Sequence, residues 1–437
     1  MASCPTKLDS FVKLWTYEDA QCVFCGDAMM LYKEANTMQY HDYVVLRMIG
    51  GKHPGDPYAR PAYRGFPPPE GASLRVEVES LTRRDLAEVR RDPQVLSIAP
   101  PMPVKLVTPT ATEAVEAPHE GTTWGVAVTG VANSPFAGHG VTVAVLDTGI
   151  DAAHEAFQGV ELIQQDFSGE GNGDGHGHGT HCAGTIFGQE VNGFRFSMAP
   201  GVRRALIGKV LATDGSGSTE QICRAIQWAV EQGAHVVSMS LGFDFPGLVD
   251  YWVSEGVPTD LATSRALEAY AANTRLFDSL AMLVRARSAL FQGTLLVAAA
   301  GNESKRHIRP DYELGVAPPA AAEGFISVGA LQTAGEPHHA LKVADFSNTG
   351  PNISGPGVSV TSAQAGGGYV AFSGTSMATP HVAGIAALWA EKLLAETGRL
   401  DVVELAARLI GRATKERLAA GFDPVAVGAG LVQAPLE

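Results

Sequence analysis

The sequence predicts an α/β fold with a mainly parallel central sheet, preceded by a small α+β unit. Two observations carry this. From Gly138 onward, short apolar runs at Val141–Leu146, Ala205–Leu211, His235–Met239, Leu295–Ala299 and Phe325–Val328 alternate with helical stretches. Strands buried on both faces by crossover helices read this way. Earlier in the chain, Leu74, Val76 and Val78 alternate with Arg75, Glu77 and Glu79, the period-2 signature of a half-buried strand. A length of 437 residues accommodates one large α/β domain and a smaller companion.

Composition narrows the function classes. Acidic residues outnumber Lys and Arg by 46 to 32, a formal charge of −14, which argues against a nucleic-acid binder because phosphate affinity needs clustered positive charge. Five cysteines, an odd count, do not form a disulfide framework. No run of 18 apolar residues offers a membrane span. The start, MASCPTKLDSFVKLWTYEDAQCVFCGDAMM, lacks the unbroken apolar core of a secretory signal. A cytoplasmic protein with reduced thiols is the simplest expectation, with export by another route left open.

Taken in order, residues 1–40 are the least readable; short helices around Tyr17–Ala20 and Ala28–Lys33 are expected. Cys22 and Cys25 form a CxxC, but no second pair follows, so ordinary thiols are favoured over zinc. Residues 41–107 read as strand (Tyr43–Met48), a loop rich in Pro, Gly and Arg, strand, helix and strand (Val95–Ile98). Thr82 and Asp85 make a capping box with Asp in the usual Glu position. Asp92-Pro93 stops that helix. Residues 105–122 have few large apolar side chains and read as an exposed, nickable linker. Further on, Ile222, Ile226 and Ala229 fall at helical spacing, with Ser218 or Thr219 to cap the start and Gly233 to end it.

Ligands in parallel sheets bind beyond the carboxyl ends of the strands, and three places there carry reactive side chains. Asp147 follows an apolar strand directly; alone it reads as a turn or cap. GDGHGHGTHCAGT sets His176, His178 and His181 among glycines. These are surface imidazoles, metal ligands or a positioned general base; glycine loops hold ligands poorly, and no HExxH glutamate follows. FSGTSMATPHVAG places Ser376 at a helix start, where serine by itself is most simply an N-cap. Pro380 is expected in the first turn, where its missing N–H costs nothing. Taken together, an Asp, a His and a Ser at strand ends and helix starts are the parts of a serine-hydrolase triad. Asn302, after Leu295–Ala300 and Gly301, can donate its amide to an oxyanion.

The segments VAVLDTGID, GHGTHCAGT, SMSLG, VAAAGNE and GTSMATPHVAG resemble subtilisin-like serine proteases, and the Cys after HGTH resembles the proteinase K branch. The likeness runs from about Trp124 to Ala434. It implies a three-layer subtilisin-like fold and a triad in which Asp147 orients, His178 is the base and Ser376 the nucleophile. Asn302 completes the oxyanion hole with the Ser376 N–H. Ser240, Leu241 and Gly242 match the edge strand that pairs with substrate backbone; Ala300 and Gly301 are assigned to substrate binding with them. Residues 41–107 resemble an inhibitory prodomain, an intramolecular partner whose linker, 108–122, occupies the cleft until cut. Aligning TTWGV with the start of the catalytic domain, 123–437, puts the cut near Val115–His119.

The sequence departs from the compact family pattern in two places. An insertion around 243–290 reads partly as helix, with Leu267, Tyr270, Leu276, Leu280 and Leu283 near helical spacing, and it starts where substrate pairs. Between Asn302 and Phe325, Ala317 falls where a glycine often floors the primary specificity pocket, which favours smaller side chains. No cofactor or catalytic metal is implied. Calcium is common in the family, but Gln189–Arg195 offers no carboxylate beyond Glu190. Cys182, beside the histidine, reads as a buried apolar residue whose position exposes His178 to mercurials. The expected function is a self-processing serine endopeptidase acting on polypeptides. The alternatives are a narrowly specific intracellular processing protease, a silent peptide-binding module, and a metal-dependent hydrolase using the histidines.

Overall fold

The structure is a computed structural model that describes residues 41–49, 73–107, 110–115, 121–288, 292–335 and 340–437. The expected helices before residue 40, the Cys22/Cys25 pair and the Pro/Gly/Arg loop lie outside the described residues.

The N-terminal unit is a three-stranded antiparallel sheet, β1 (His41–Ile49), β2 (Ser73–Leu81) and β3 (Val95–Ala99), in the order β2-β1-β3. Helix α1 (Arg83–Val89) starts with the capping box read from the sequence, both Thr82–Asp85 bonds being formed. Arg47 ties the sheet together through Glu79 (2.6 Å) and Asp92 (2.5 Å). Downstream come two short strands, β4 (Pro103–Leu106) and β5 (Thr110–Val115).

The large domain adds β6 (Thr142–Asp147), β7 (Glu161–Asp166), α2 (His178–Phe187), β8 (Arg204–Lys209), β9 (Ser216–Ser218) and α3 (Thr219–Glu231). Then follow β10 (Val236–Met239), β11 (Leu241–Phe243), α4 (Phe245–Ser254), α5 (Thr259–Arg287), β12 (Leu295–Ala299), β13 (Phe325–Thr333) and β14 (Leu341–Val343). The chain closes with β15 (Ile353–Pro356), β16 (Val360–Ala363), β17 (Tyr369–Ser373), α6 (Thr375–Thr397) and α7 (Val402–Gly411), followed by a short C-terminal stretch. The central sheet runs β14-β13-β12-β10-β6-β8-β7 with β15 on β13, and every pair is parallel except β13–β14. Its five core strands are those the apolar runs predict.

Side chains alternate between two cores. One face of the sheet packs against α2, α6 and α7, through Cys182, Ile186, Ala383, Leu388 and Leu405 among others. The other packs against α3 and α5, and that apolar cluster continues into the N-terminal unit through Val44, Leu46, Leu74, Val76 and Ala99. Of the two caps expected for helix α3, Ser218 forms it, in a capping box with Gln221 that was not expected from sequence. In α5, Leu276, Leu280 and Leu283 are buried as their spacing predicts, but Leu267 is 58% exposed, because it lies off the face that buries Ala262, Ala266, Ala269 and Asn273.

Candidate active site

Residues 105–107 are not an exposed linker. Val104, Leu106 and Val107 are buried, and β4 lies between β9 and β11, antiparallel to both. Apolar alternation in PVKLV is too short to stand out in sequence, and its burial comes from the cleft it enters. Leu241 pairs with Leu106 and Gly242 with Lys105. Leu106 N–H donates to Gly215 O (2.9 Å), and Lys105 Nζ meets Asp244 (2.6 Å) at the start of the insertion. Met102 N–H bonds Thr219 Oγ1, and Asn273 of α5 donates to Pro100 O. The insertion therefore stands beside the strand in the cleft.

β4 ends against the reactive side chains. Ser376 Oγ donates to Val107 O (3.1 Å) and lies 3.3 Å from Ser240 O. A Cβ placed on Gly242 would stand 3.6 Å from Val107 Cγ2, 3.7 Å from Pro318 O and 3.9 Å from Ala317 Cβ. Gly242 and Ala317 thus bound the space around the Val107 side chain.

Asp147 closes β6 and is buried, as is His178 at the first residue of α2. His178 Nδ1 and Asp147 Oδ1 are 2.7 Å apart. An ionised carboxylate only accepts, so the ring proton sits on Nδ1 and Nε2 faces away with no partner among the described residues. Burial works against charging this imidazole, but the adjacent Asp147 carboxylate prevails and holds His178 well above its ordinary value.

The spacing in sequence does not reveal what aims these groups. Asp174, four residues before His178, accepts from Gly177 N, His176 N and Thr148 Oγ1 on one oxygen, and from Thr180 N and Oγ1 on the other. Burial opposes its charge; the Thr180, Gly177 and Thr148 donors outweigh that and keep its carboxyl below the ordinary range. Thr148 N–H in turn donates to Asp147 Oδ1 (2.8 Å). One side chain thus ties the Asp loop to the start of the His helix.

Ser376 is the second residue of α6, with Gly374 as the cap. Pro380 is the sixth, beyond the first turn expected from sequence. Its absent N–H leaves the Ser376 carbonyl without a helical partner. Ser240 Oγ (3.0 Å) and Cys182 Sγ (3.5 Å) donate to that carbonyl instead. Cys182 Sγ also lies 3.8 Å from His178 Nδ1, so the buried thiol touches both residues.

Asn302 is oriented by Thr375, whose N–H and Oγ1–H both donate to Asn302 Oδ1 at 2.9 Å. The amide nitrogen is left on the free side; a Cβ on Gly374 would stand 2.9 Å from it. Gly301 takes φ +110, a left-handed turn that brings Asn302 round to the cleft. Its N–H donates to Thr375 Oγ1, and Asn348, unremarked in sequence, binds Glu303 N and Ser304 N to fix that turn. Ala300 spends its N–H on Val328 O and its carbonyl on Ala317 N and Asn348 Nδ2. It supports the turn rather than facing the cleft.

The three histidines do not converge on one point. His181 Nε2 bonds Val360 O and its ring stacks on Phe372, while His176 is exposed. Among the described residues, the potential metal ligands that cluster are Asp147, His178 and Cys182. The loop considered for calcium is crosslinked by its own side chains. Gln189 Nε2 donates to Phe187 O and Pro200 O, and Arg203 donates to Gln189 Oε1.

Residues 138–428 match the model of the Subtilase family. This chain belongs to the subtilases. It is 34% identical over 316 residues to a thermostable alkaline protease of Halalkalibacterium halodurans, covering 70% of each chain. It is 35% identical over 302 residues to an intracellular serine protease of Paenibacillus polymyxa, 68% of this chain and 79% of that one. Against subtilisin-like protease 6 of Trichophyton rubrum it is 32% identical over 260 residues, and it spans about half that protein's length (52%). The subtilase is a serine endopeptidase, its substrates are polypeptides, and its chemistry requires no cofactor. No helix of the described residues is long and apolar enough to cross a membrane.

Proposed function

We propose that Ser376 is the nucleophile, His178 its base, Asp147 the orienting carboxylate, and Asn302 with the Ser376 N–H the oxyanion hole. We propose further that this subtilase is a zymogen that cuts itself between Val107 and Thr108. The observation that carries both is the contact of Val107 O with Ser376 Oγ at the end of a strand held between β9 and β11. Residues 41–107 then act as the inhibitory unit, and the expected cut near Val115–His119 moves upstream to the residue that meets the serine. Ser240, Leu241, Gly242 and Gly301 bind substrate or support its binding.

In the reaction, Ser376 Oγ attacks the Val107 carbonyl carbon as its proton passes to His178 Nε2. Asp147 steadies the imidazolium. The carbonyl oxygen, now negative, takes hydrogen bonds from Asn302 Nδ2 and the Ser376 N–H. His178 returns the proton to the Thr108 nitrogen as the C–N bond breaks. Water, deprotonated by the same imidazole, then hydrolyses the acyl-enzyme. We read the 187–203 loop as braced without calcium.

Fluorophosphonate labelling tests the assignment. After self-processing, the wild type should carry one adduct on the Ser376 peptide, and Ser376→Ala should carry none. Labelling elsewhere, or labelling of the Ala chain, refutes it.

A further inference from the structure

Beyond Val107 a second strand contact lines the leaving-group side of the cleft. β5 runs antiparallel along β17, with Ser373 opposite Thr110, Phe372 opposite Ala111, Val370 opposite Ala114 and Tyr369 opposite Val115. The other edge of β17 pairs with β16, so removing β5 leaves a row of unpaired main-chain groups that begins three residues before Ser376. The hairpin carrying that edge is braced from the catalytic side. Gly366 N–H donates to Asp151 Oδ2 (2.8 Å), His154 Nε2 bonds Gly368 O (2.9 Å), and the His181 ring stacks on Phe372. An edge fixed in this way presents its N–H and C=O groups without first having to order.

We propose that the edge of β17 is a strand-addition site for extended polypeptide substrates, reaching to the eighth residue past the scissile bond, and that residues 110–115 fill it in the precursor. The inference rests on the Val107–Thr108 cut proposed above, since Val115 is the eighth residue beyond that bond. Recognition through the main chain selects for extended, proline-free sequence rather than for particular side chains. It also splits release into two events. Cutting at Val107 frees the unprimed half when residues 41–107 depart, while Thr110–Val115 stay joined to the catalytic half and cover the primed edge until a longer substrate strand displaces them.

The test uses the full chain, wild type and Ala111→Pro/Ala114→Pro, each after self-processing. Both are assayed with peptides carrying Pro-Val-Lys-Leu-Val on the acyl side. One peptide ends two residues past the bond. The other continues, proline-free, to the eighth. On the proline variant, whose own strand cannot pair, KM should be about 10-fold lower for the long peptide with kcat alike. On the wild type the gap should narrow. N-methylation of the long peptide's fourth and seventh downstream nitrogens should weaken its binding to either enzyme. Equal KM for the two peptides on the proline variant, or indifference to N-methylation, overturns the site. Cleavage of neither peptide at Val–Thr overturns the cut position, and the register with it.

Discussion

At the scale of single residues, the site depends on groups that aim others. Asn302 presents its amide nitrogen because Thr375 holds its oxygen. Asn302→Ala should lower turnover about 100–1,000-fold with little change in KM, as steady-state kinetics on a short peptide would show. Cys182 lies against His178 Nδ1 and the Ser376 carbonyl. Mercurials should therefore inactivate the enzyme, and Cys182→Ala should resist them; equal inactivation of both would place the reacting thiol elsewhere. The pH dependence follows from His178. Its imidazole is held charged to higher pH than usual by Asp147, and only the neutral ring can take the serine proton. Self-cleavage should accordingly rise with pH through a midpoint above 6.5, read from precursor decay. The four residues proposed to react stand out in the sequence because each sits in a long ordered motif. Asp174 and Asn348 do not, since their work is a fan of hydrogen bonds to backbone that only the folded loops bring near.

At the scale of elements, strands and helices with their own periodicity are legible, down to the Thr82–Asp85 box and a cap at Ser218 or Thr219, of which the fold uses Ser218. β4 escaped notice because it has no face of its own; it is buried by β9 and β11, which come from distant parts of the chain. The same burial makes Val107 a probe of the pocket. With Gly242 and Ala317 close by, Val107→Phe overfills the space and should slow self-cleavage about 10-fold, whereas Val107→Ala should be tolerated better. Time courses of precursor loss in the two variants would show the difference. Pro380 is a related case. It was expected in the first turn of its helix but lies past it, and the carbonyl it orphans is met only by Ser240 and Cys182 folded against it.

At the scale of the whole molecule, the N-terminal sheet shares one apolar cluster with α3 and α5, so the precursor should unfold as a unit. Its acid stability has a defined sign. Burial lowers His181 to about 3 and His235 and His381 to about 4. Below about pH 6.5 the unfolded chain takes up protons that these folded residues refuse, so their contribution is full above 6.5 and falls as pH drops toward 4. His178, raised, works in the opposite direction: its contribution is present below 6.5 and lost as pH rises through its folded value. Burial lowers His41 as well, so four lowered histidines against one raised predict a lower urea midpoint for the Ser376→Ala chain at pH 5 than at pH 7.5. Intact-mass and N-terminal analysis of purified wild-type and Ser376→Ala chains shows whether Ser376 cuts this subtilase's own Val107–Thr108 bond. A new terminus at Thr108 in the wild type alone is the result predicted. A first cut at 115–119, or the same cut in the Ala chain, would contradict it.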